Sequence, residues 1–191
     1  MTRIYFVRHA QPDHNYADRI RPLTEEGQQD TKMVLDFFKE KNVDQFYCSP
    51  YKRSYNTIAS TAQFFGKEII TDERLRERES GIDANNLEMF RKRWDDFRYH
   101  EEGGESLGMV QERNMSALWD ILATNEDKTL VIGTHGTALS TILNYFDPAY
   151  NCDSFLRMIN WMPYIIEVDF EGKQCVGKRE HTYINKPYRN K

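Results

Sequence analysis

The sequence predicts an α/β sandwich built around a mostly parallel sheet, on three observations. Short apolar runs rich in β-forming residues recur at Ile4-Tyr5-Phe6-Val7 and at Thr129-Leu130-Val131-Ile132-Gly133, and Val43 to Cys48 reads as a further strand. Unbroken runs of this kind suit strands buried on both faces. A helix signal follows each run, and strands alternating with helices imply parallel pairing with helices packed on the sheet. At 191 residues the chain is expected to be one domain over 1–191, because domains commonly run to about 100–200 residues. A globule of this size buries roughly 70% of its unfolded surface, which is core enough without a disulfide or metal staple.

The elements follow in order. After Arg8-His9 a loop runs from Ala10 to about Leu23, and Thr24 is the expected N-cap of a helix with Glu25 and Glu26 in its first turn. Val34, Leu35, Phe37 and Phe38 give that helix an apolar face, and Asn42 lies near its end. Val43 to Cys48 is the second strand. Ser49-Pro50 predicts the next helix start, serine as cap and proline in the first helical position. Tyr51, Tyr55, Ile58, Ala62 and Phe65 then recur at spacings of 4, 3, 4 and 3, and Gly66 closes the helix. Glu68 to Thr71 predicts another short strand.

Composition changes next. Asp72 to Glu79 holds seven charged residues in eight, and Glu101-Glu102-Gly103-Gly104-Glu105 is acidic and Gly-rich. Between them Leu87, Phe90, Trp94 and Phe97 keep helical spacing, so 78–105 is expected to be a lid or insertion too short for its own core. A helix is predicted from Ser106 to about Thr124, the clearest strand at 129–133, and a helix with Ala138, Leu139, Ile142 and Leu143 after His135-Gly136. Trp161 to Phe170 and Gln174 to Tyr183, around Glu171-Gly172, read as a hairpin.

Composition excludes several classes. Three Trp, eleven Tyr and eleven Phe are more aromatics than a disordered chain carries. A net charge of −4, from 26 basic and 30 acidic residues, argues against nucleic acid as a partner held by phosphate neutralisation. No apolar run approaches the roughly 18 residues of a membrane span, and Met1–Ala10 is too short and polar for a signal peptide. Cys48, Cys152 and Cys175 are odd in number and lack CxxC spacing, which reads as reduced thiols in a cytoplasmic protein. Oligomeric state is not legible.

The chemistry is positional. His9 and His135 sit at the carboxyl ends of the two best strand candidates, where open α/β sheets bind ligands. Arg8 adjoins His9, and Arg53 falls in the first turn of the helix after Cys48. Helix N-termini favour anions, so these residues together suit a dianionic phosphoryl group. A neutral imidazole is a competent nucleophile toward phosphorus, and phosphoryl transfer then needs donors on the equatorial oxygens, which Arg8, Arg53 and His135 supply without a metal. The leaving alkoxide needs a proton, and Glu77 and Glu79 border the expected site. A carboxyl group beside a dianion suits that task because a like charge disfavours ionisation.

Val7-Arg8-His9-Ala10 resembles the Arg-His-Gly signature of the histidine phosphatases, the superfamily that includes cofactor-dependent phosphoglycerate mutase. Ser49-Pro50-Tyr51-Lys52-Arg53-Ser54-Tyr55-Asn56-Thr57 is similar to its phosphate-binding arginine segment, and Leu75-Arg76-Glu77-Arg78-Glu79-Ser80-Gly81 to its proton-donor segment. Gly104-Glu105-Ser106 and Thr134-His135-Gly136 complete the family's order. The resemblance spans residues 4 to about 140. It implies a three-layer α/β/α sandwich, phosphoglycerate mutase-like, with His9 phosphorylated. It further implies that Arg8, Arg53 and His135 hold the phosphoryl group, that Asn15 touches it, and that Glu77 is the acid and then the base for water.

Two departures bear on the reaction. Ala10 replaces the family's glycine, which is harmless only where its φ is negative. Gln11-Pro12-Asp13-His14 differs from the mutases' Gly-Glu-Ser/Thr run, and only 27 positions separate Glu77 from Gly104, where mutases carry a longer insertion. The expectation is a metal-independent phosphatase, without a cofactor, acting on a small phosphate monoester through a phosphohistidine at His9. The alternatives are a phosphoglycerate mutase and an inactive phosphate-binding module. Ordinary readings stand beside these: a solvated helix start for Arg53, a solvated charged face for Glu77, and structural or surface roles for His100 and His181. His14 reads likewise as a structural or surface residue, with contact to the substrate as the alternative because its loop lies beside the expected site. The aromatics Tyr51, Trp94, Phe97 and Tyr99 read as core, with Trp94 or Tyr99 alternatively lining a pocket. A zinc site at His9 and His135 lacks further ligands and would set a cation beside two arginines.

Overall fold

The computed structural model describes residues 1–83 and 85–187, so Ala84 of the expected lid and residues 188–191 of the expected domain lie outside the description. Strands β1 (Thr2–Arg8), β2 (Gln45–Cys48), β3 (Ile69–Thr71), β4 (Thr129–Thr134), β5 (Trp161–Glu171) and β6 (Gln174–Asn185) form one sheet in the order β3-β2-β4-β1-β5-β6. The first four pair in parallel, and β5 and β6 extend the sheet in antiparallel fashion beside β1. The β5–β6 turn places Gly172 at φ 56, a left-handed conformation that glycine takes without a Cβ penalty.

Helices α1 (Glu25–Phe38) and α2 (Lys52–Phe64) cover one face of the sheet. Helices α4 (Leu107–Thr124), α5 (Gly136–Phe146) and α6 (Cys152–Met158) cover the other, with α3 (Leu87–Asp95) packed on α6. The layering follows from alternation along β1, since successive side chains point to opposite faces. Ile4 and Phe6 join Leu118, Leu139 and Ile142 in one core, while Tyr5 and Val7 join Val34, Phe38 and Ile58 in the other. The expected three-layer sandwich around a mostly parallel sheet is therefore present. Among the described residues no helix is long and apolar enough to cross a membrane.

Several local expectations need correction. Helix α2 begins at Lys52 and not at Ser49-Pro50, because the Ser49 hydroxyl accepts from Tyr51 N–H in a preceding turn and also bonds His135. Thr24 and Ser106 do cap α1 and α4, accepting from Gly27 N and Met109 N. Tyr55 and Leu87, expected on apolar faces, are exposed. Helix α6 was not anticipated, although Asn151 and Ser154 form a capping box at its start. Within 78–105, Glu105 N–H donates to Glu79 O at 3.1 Å and closes the segment's two ends together, while Phe90 and Trp94 pack on Phe155.

Candidate active site

Parallel pairing assembles the site. Arg8 of β1 is in register with Thr134 of β4, and Cys48 of β2 with Gly133, so three strand ends and the residues after them lie side by side. His9 N–H then donates to Thr134 O at 3.2 Å and Ser49 N–H to Gly133 O at 3.1 Å. A cavity of about 470 Å³ opens there, lined by Arg8, His9, Arg53 and Glu77. His135 does not line it. It is wholly buried behind His9, with ring centroids 5.3 Å apart and Tyr51 on a further side at 5.4 Å. Asn15 lines an adjoining depression and donates through Nδ2 to Asp13 Oδ1 at 2.8 Å. His14 lies on the wall of both.

His9 is fixed in one tautomer. Its Nδ1 lies 2.7 Å from Ala10 O, and a carbonyl oxygen only accepts, so Nδ1 carries the hydrogen and Nε2 the lone pair. Burial, and then the charges of Arg53 and Arg8, push the imidazole well below its ordinary range. The ring is therefore neutral at pH 7. Ala10 itself is buried and free of strain, since among described non-glycine residues only Asp127 takes positive φ. Its N–H donates to Thr57 Oγ1 at 3.0 Å, and Thr57 donates in turn to Arg53 O at 2.7 Å. One buried hydroxyl thus ties the loop after His9 to the helix that carries Arg53.

The arginines are held from behind. Arg8 Nη1 donates to the carbonyls of Met158, Ile159 and Trp161 at 2.5, 3.0 and 3.3 Å, at and beyond the C-terminus of α6. Gly136 lets the guanidinium approach closely, because a Cβ there would stand 3.1 Å from Arg8 Cζ. Arg53 donates to Asp18 O at 2.6 Å and pairs with Asp18 Oδ1 at 3.0 Å, where Arg21 also binds at 3.2 Å. Burial lowers Arg53, with Asp18 opposing. His135 bonds Ser49 Oγ through Nε2 at 2.8 Å, and burial followed by the Arg53 charge pushes it well below its ordinary range.

Glu77 reaches the first turn of α5. Its Oε1 accepts from Ala138 N and Arg78 N, both at 2.9 Å, and its Oε2 from Thr137 N at 3.0 Å. The carboxyl group thereby satisfies helix N–H donors that have no partner within the helix. Oε2 takes one bond only and retains a lone pair for a proton. Glu79 does not line the cavity, and its backbone N–H and O bind the side chain and N–H of Glu105. Sequence reasoning missed Arg21, Arg78 and Arg93 on the cavity wall. Arg78 adjoins Glu77 in sequence, and Arg93, three positions after Phe90, stands beside the apolar face of α3, a spacing that could have marked it as inward-facing. Among the described residues no group of three or more His, Cys, Asp or Glu side chains is placed to hold a metal ion.

Comparison with known proteins gives a family match and several relatives. The model of the histidine phosphatase superfamily (branch 1) matches residues 4–179. Phosphoserine phosphatase 1 of Hydrogenobacter thermophilus is 29% identical over 150 residues, 71% of each chain. A probable phosphoglycerate mutase GpmB of Escherichia fergusonii is 30% identical over 196 aligned residues, covering 93% of this chain and 89% of that one. Among solved structures, Bacillus stearothermophilus YhfR superposes with a TM-score of 0.75 at 25% identity, covering 92% of this chain and 94% of its own. Phosphoserine phosphatase of Entamoeba histolytica, in complex with 3-phosphoglyceric acid, shares the fold with a TM-score of 0.75 at 22% identity, over 98% of both chains.

Proposed function

The chain belongs to branch 1 of the histidine phosphatase superfamily, and from that premise we propose that it is a metal-independent phosphatase that hydrolyses a small phosphate monoester through a phosphohistidine on His9. The observation that carries this reading is the His9 tautomer: Nδ1–H is committed to Ala10 O, so Nε2 alone offers a lone pair. Arg8 and Arg53 hold the phosphoryl oxygens, and His135 supports them from behind His9. Nε2 attacks phosphorus in line as the ester P–O bond breaks, and Glu77 gives its proton to the departing alkoxide. The Nδ1–H···O bond to Ala10 stabilises the positive charge that forms on the ring. In the second step Glu77, now a carboxylate, takes a proton from water as the water oxygen attacks phosphorus. The P–N bond breaks, its electron pair returns to Nε2, and inorganic phosphate leaves.

Relatives named phosphoserine phosphatase support a phosphatase, and those named probable phosphoglycerate mutase support the second reading, in which the phosphoryl group passes to another substrate instead of water. The deciding experiment is hydrolysis of p-nitrophenyl phosphate in EDTA by the wild type and His9→Ala. Turnover that survives chelation and disappears in His9→Ala is the expected result. Turnover that survives the substitution refutes the nucleophile, and turnover lost to EDTA refutes metal independence. Interconversion of 2- and 3-phosphoglycerate that requires bisphosphoglycerate, without hydrolysis, would establish the mutase reading.

A further inference from the structure

We propose that Arg113, in the second turn of α4, is a positioning residue for the proton donor: its guanidinium fixes the backbone from which Glu77 reaches the departing oxygen. The inference goes beyond the phosphatase reading and rests on it through the acid role of Glu77. Glu77 lies in a stretch that is neither helix nor strand, between the short helical turn Glu73–Leu75 and α3. No ladder of main-chain bonds fixes such a stretch, yet a proton donor must stand within hydrogen-bond reach of the leaving group. Another part of the fold has to hold it.

Arg113 makes five hydrogen bonds, as many as a guanidinium has N–H donors. Nη1 donates to the carbonyls of Arg74 and Arg76 at 2.9 and 2.7 Å, and Nη2 to the carbonyl of Glu77 itself at 2.9 Å. Nε and Nη2 also grip the Glu105 carboxylate, at 2.9 and 2.8 Å. Glu105 in turn accepts from Glu79 N–H through Oε2 at 2.8 Å, and its Oε1 lies 3.3 Å from Arg76 Nη2. The main chain is thus fastened on both sides of the acid, at residues 74, 76 and 77 and again at 79. Burial works against the Glu105 carboxylate, but the bonds from Arg113 and Glu79 N–H carry it below its ordinary range. Arg76 and Arg78 also face it and favour the same charged state. Arg113 does not line the cavity, and its side chain is only 13% exposed. It therefore acts through Glu77 and not on the substrate. A lysine in its place would keep the charge but bring its donors to one point, unable to span three carbonyls and a carboxylate.

The test is the ratio of kcat/KM for glycerol 3-phosphate, whose alkoxide needs a proton, to that for p-nitrophenyl phosphate, whose phenolate does not. Misplacing a reacting group by about 1 Å costs about 100-fold, so Arg113→Gln should lower the ratio by about 10-fold or more. General damage slows both esters alike and divides out. Arg113→Lys should lower the ratio less, and it carries the test if Arg113→Gln does not fold. In a Glu77→Gln background Arg113→Gln should leave the ratio where Glu77→Gln alone sets it, because residues acting through one group are not additive. An unmoved ratio in the folded single variants overturns the proposal, as does a second, equal fall in the double variant. Failure of the underlying reading shows separately: a wild type that hydrolyses neither ester refutes the phosphatase, and a ratio that Glu77→Gln leaves unchanged refutes the acid. In those cases, or if glycerol 3-phosphate alone is refused, positioning is read without turnover. The readout is hydrogen exchange at Thr137 and Ala138, whose N–H groups donate to Glu77. Arg113→Gln should speed exchange at these two amides while the middle of α5 stays protected, and unchanged exchange overturns the proposal.

Discussion

Replacing Glu77 with Gln perturbs two roles at once, and the structure separates them. The carboxyl group accepts from Thr137 N, Ala138 N and Arg78 N. An amide offers one oxygen, so its NH2 must confront at least one of those N–H groups. Placed against Thr137, it leaves a single half-buried donor unpaired, at about 1–3 kcal/mol. Removing negative charge from the α5 N-terminus adds about 0.3–1 kcal/mol. A loss of about 2 kcal/mol lowers the melting temperature by about 4–8 °C in a chain of this size. The chemical role has its own signature. A positioned general acid contributes about 10²–10⁴-fold where the leaving group needs a proton. An alkyl phosphate should therefore slow at least about 100-fold in Glu77→Gln, and p-nitrophenyl phosphate, whose phenolate departs unaided, by less than about 10-fold. The assays are a thermal melt and the two rates on one preparation. Equal slowing of both esters would refute the acid role, and an unchanged melting temperature would refute the capping argument.

Two other perturbations test the scaffold and its electrostatics. Thr57→Val keeps the shape of the buried side chain but strands Ala10 N–H, and it should cost about 1–3 kcal/mol in denaturant unfolding and lower kcat by loosening the His9 loop; full stability and activity would show that the bond is dispensable. Because the folded pKa values of His9 and His135 lie well below 6.5, the unfolded chain binds protons that the folded one refuses below that value. Stability is thus fully present above pH 6.5 and is lost progressively as pH falls from there toward the depressed folded values. The acid limb of kcat/KM, corrected for the ester's own ionisation, should lie below pH 6.5 as well. Denaturant titrations at about pH 7.5 and pH 5.5 read the first effect, and a limb at or above pH 6.5 would contradict the second.

The sheet and half of the site were legible because both rest on short-range pattern. Apolar runs with β-formers fixed β1 and β4, and parallel pairing of any two such strands puts the residues after them together, which is why Arg8, His9 and His135 lie close in space. What failed was decided by competition between tertiary partners. Ser49 carries a strong capping signal, yet its hydroxyl is taken by His135, so the helix starts later. Asn15 was placed by family spacing. The loop instead closes on itself through the Pro12–Leu23 bridge and Asp13 N–H to Pro22 O, and Asn15 is left outside the cavity. Arg93 was passed over because an arginine is ordinarily solvated, although its spacing of three from Phe90 sets it beside the apolar face of α3. The packing of Phe90 and Trp94 against Phe155 carries it inward, where it bonds Asn85 and Glu101.

One set of charges then serves two ends of the proposed reaction. Burial, Arg53 and Arg8 keep His9 neutral, which supplies the lone pair, and the same arginines attract the dianion that the lone pair attacks. Once the dianion arrives, its charge offsets theirs, and the cost of placing a positive charge on the ring falls when transfer creates one. Removing either arginine therefore weakens binding while making the free imidazole easier to protonate. In an Arg53→Ala enzyme the acid limb of kcat/KM should shift to higher pH together with the rise in KM. A rise in KM with an unmoved limb would mean that burial alone sets the state of His9.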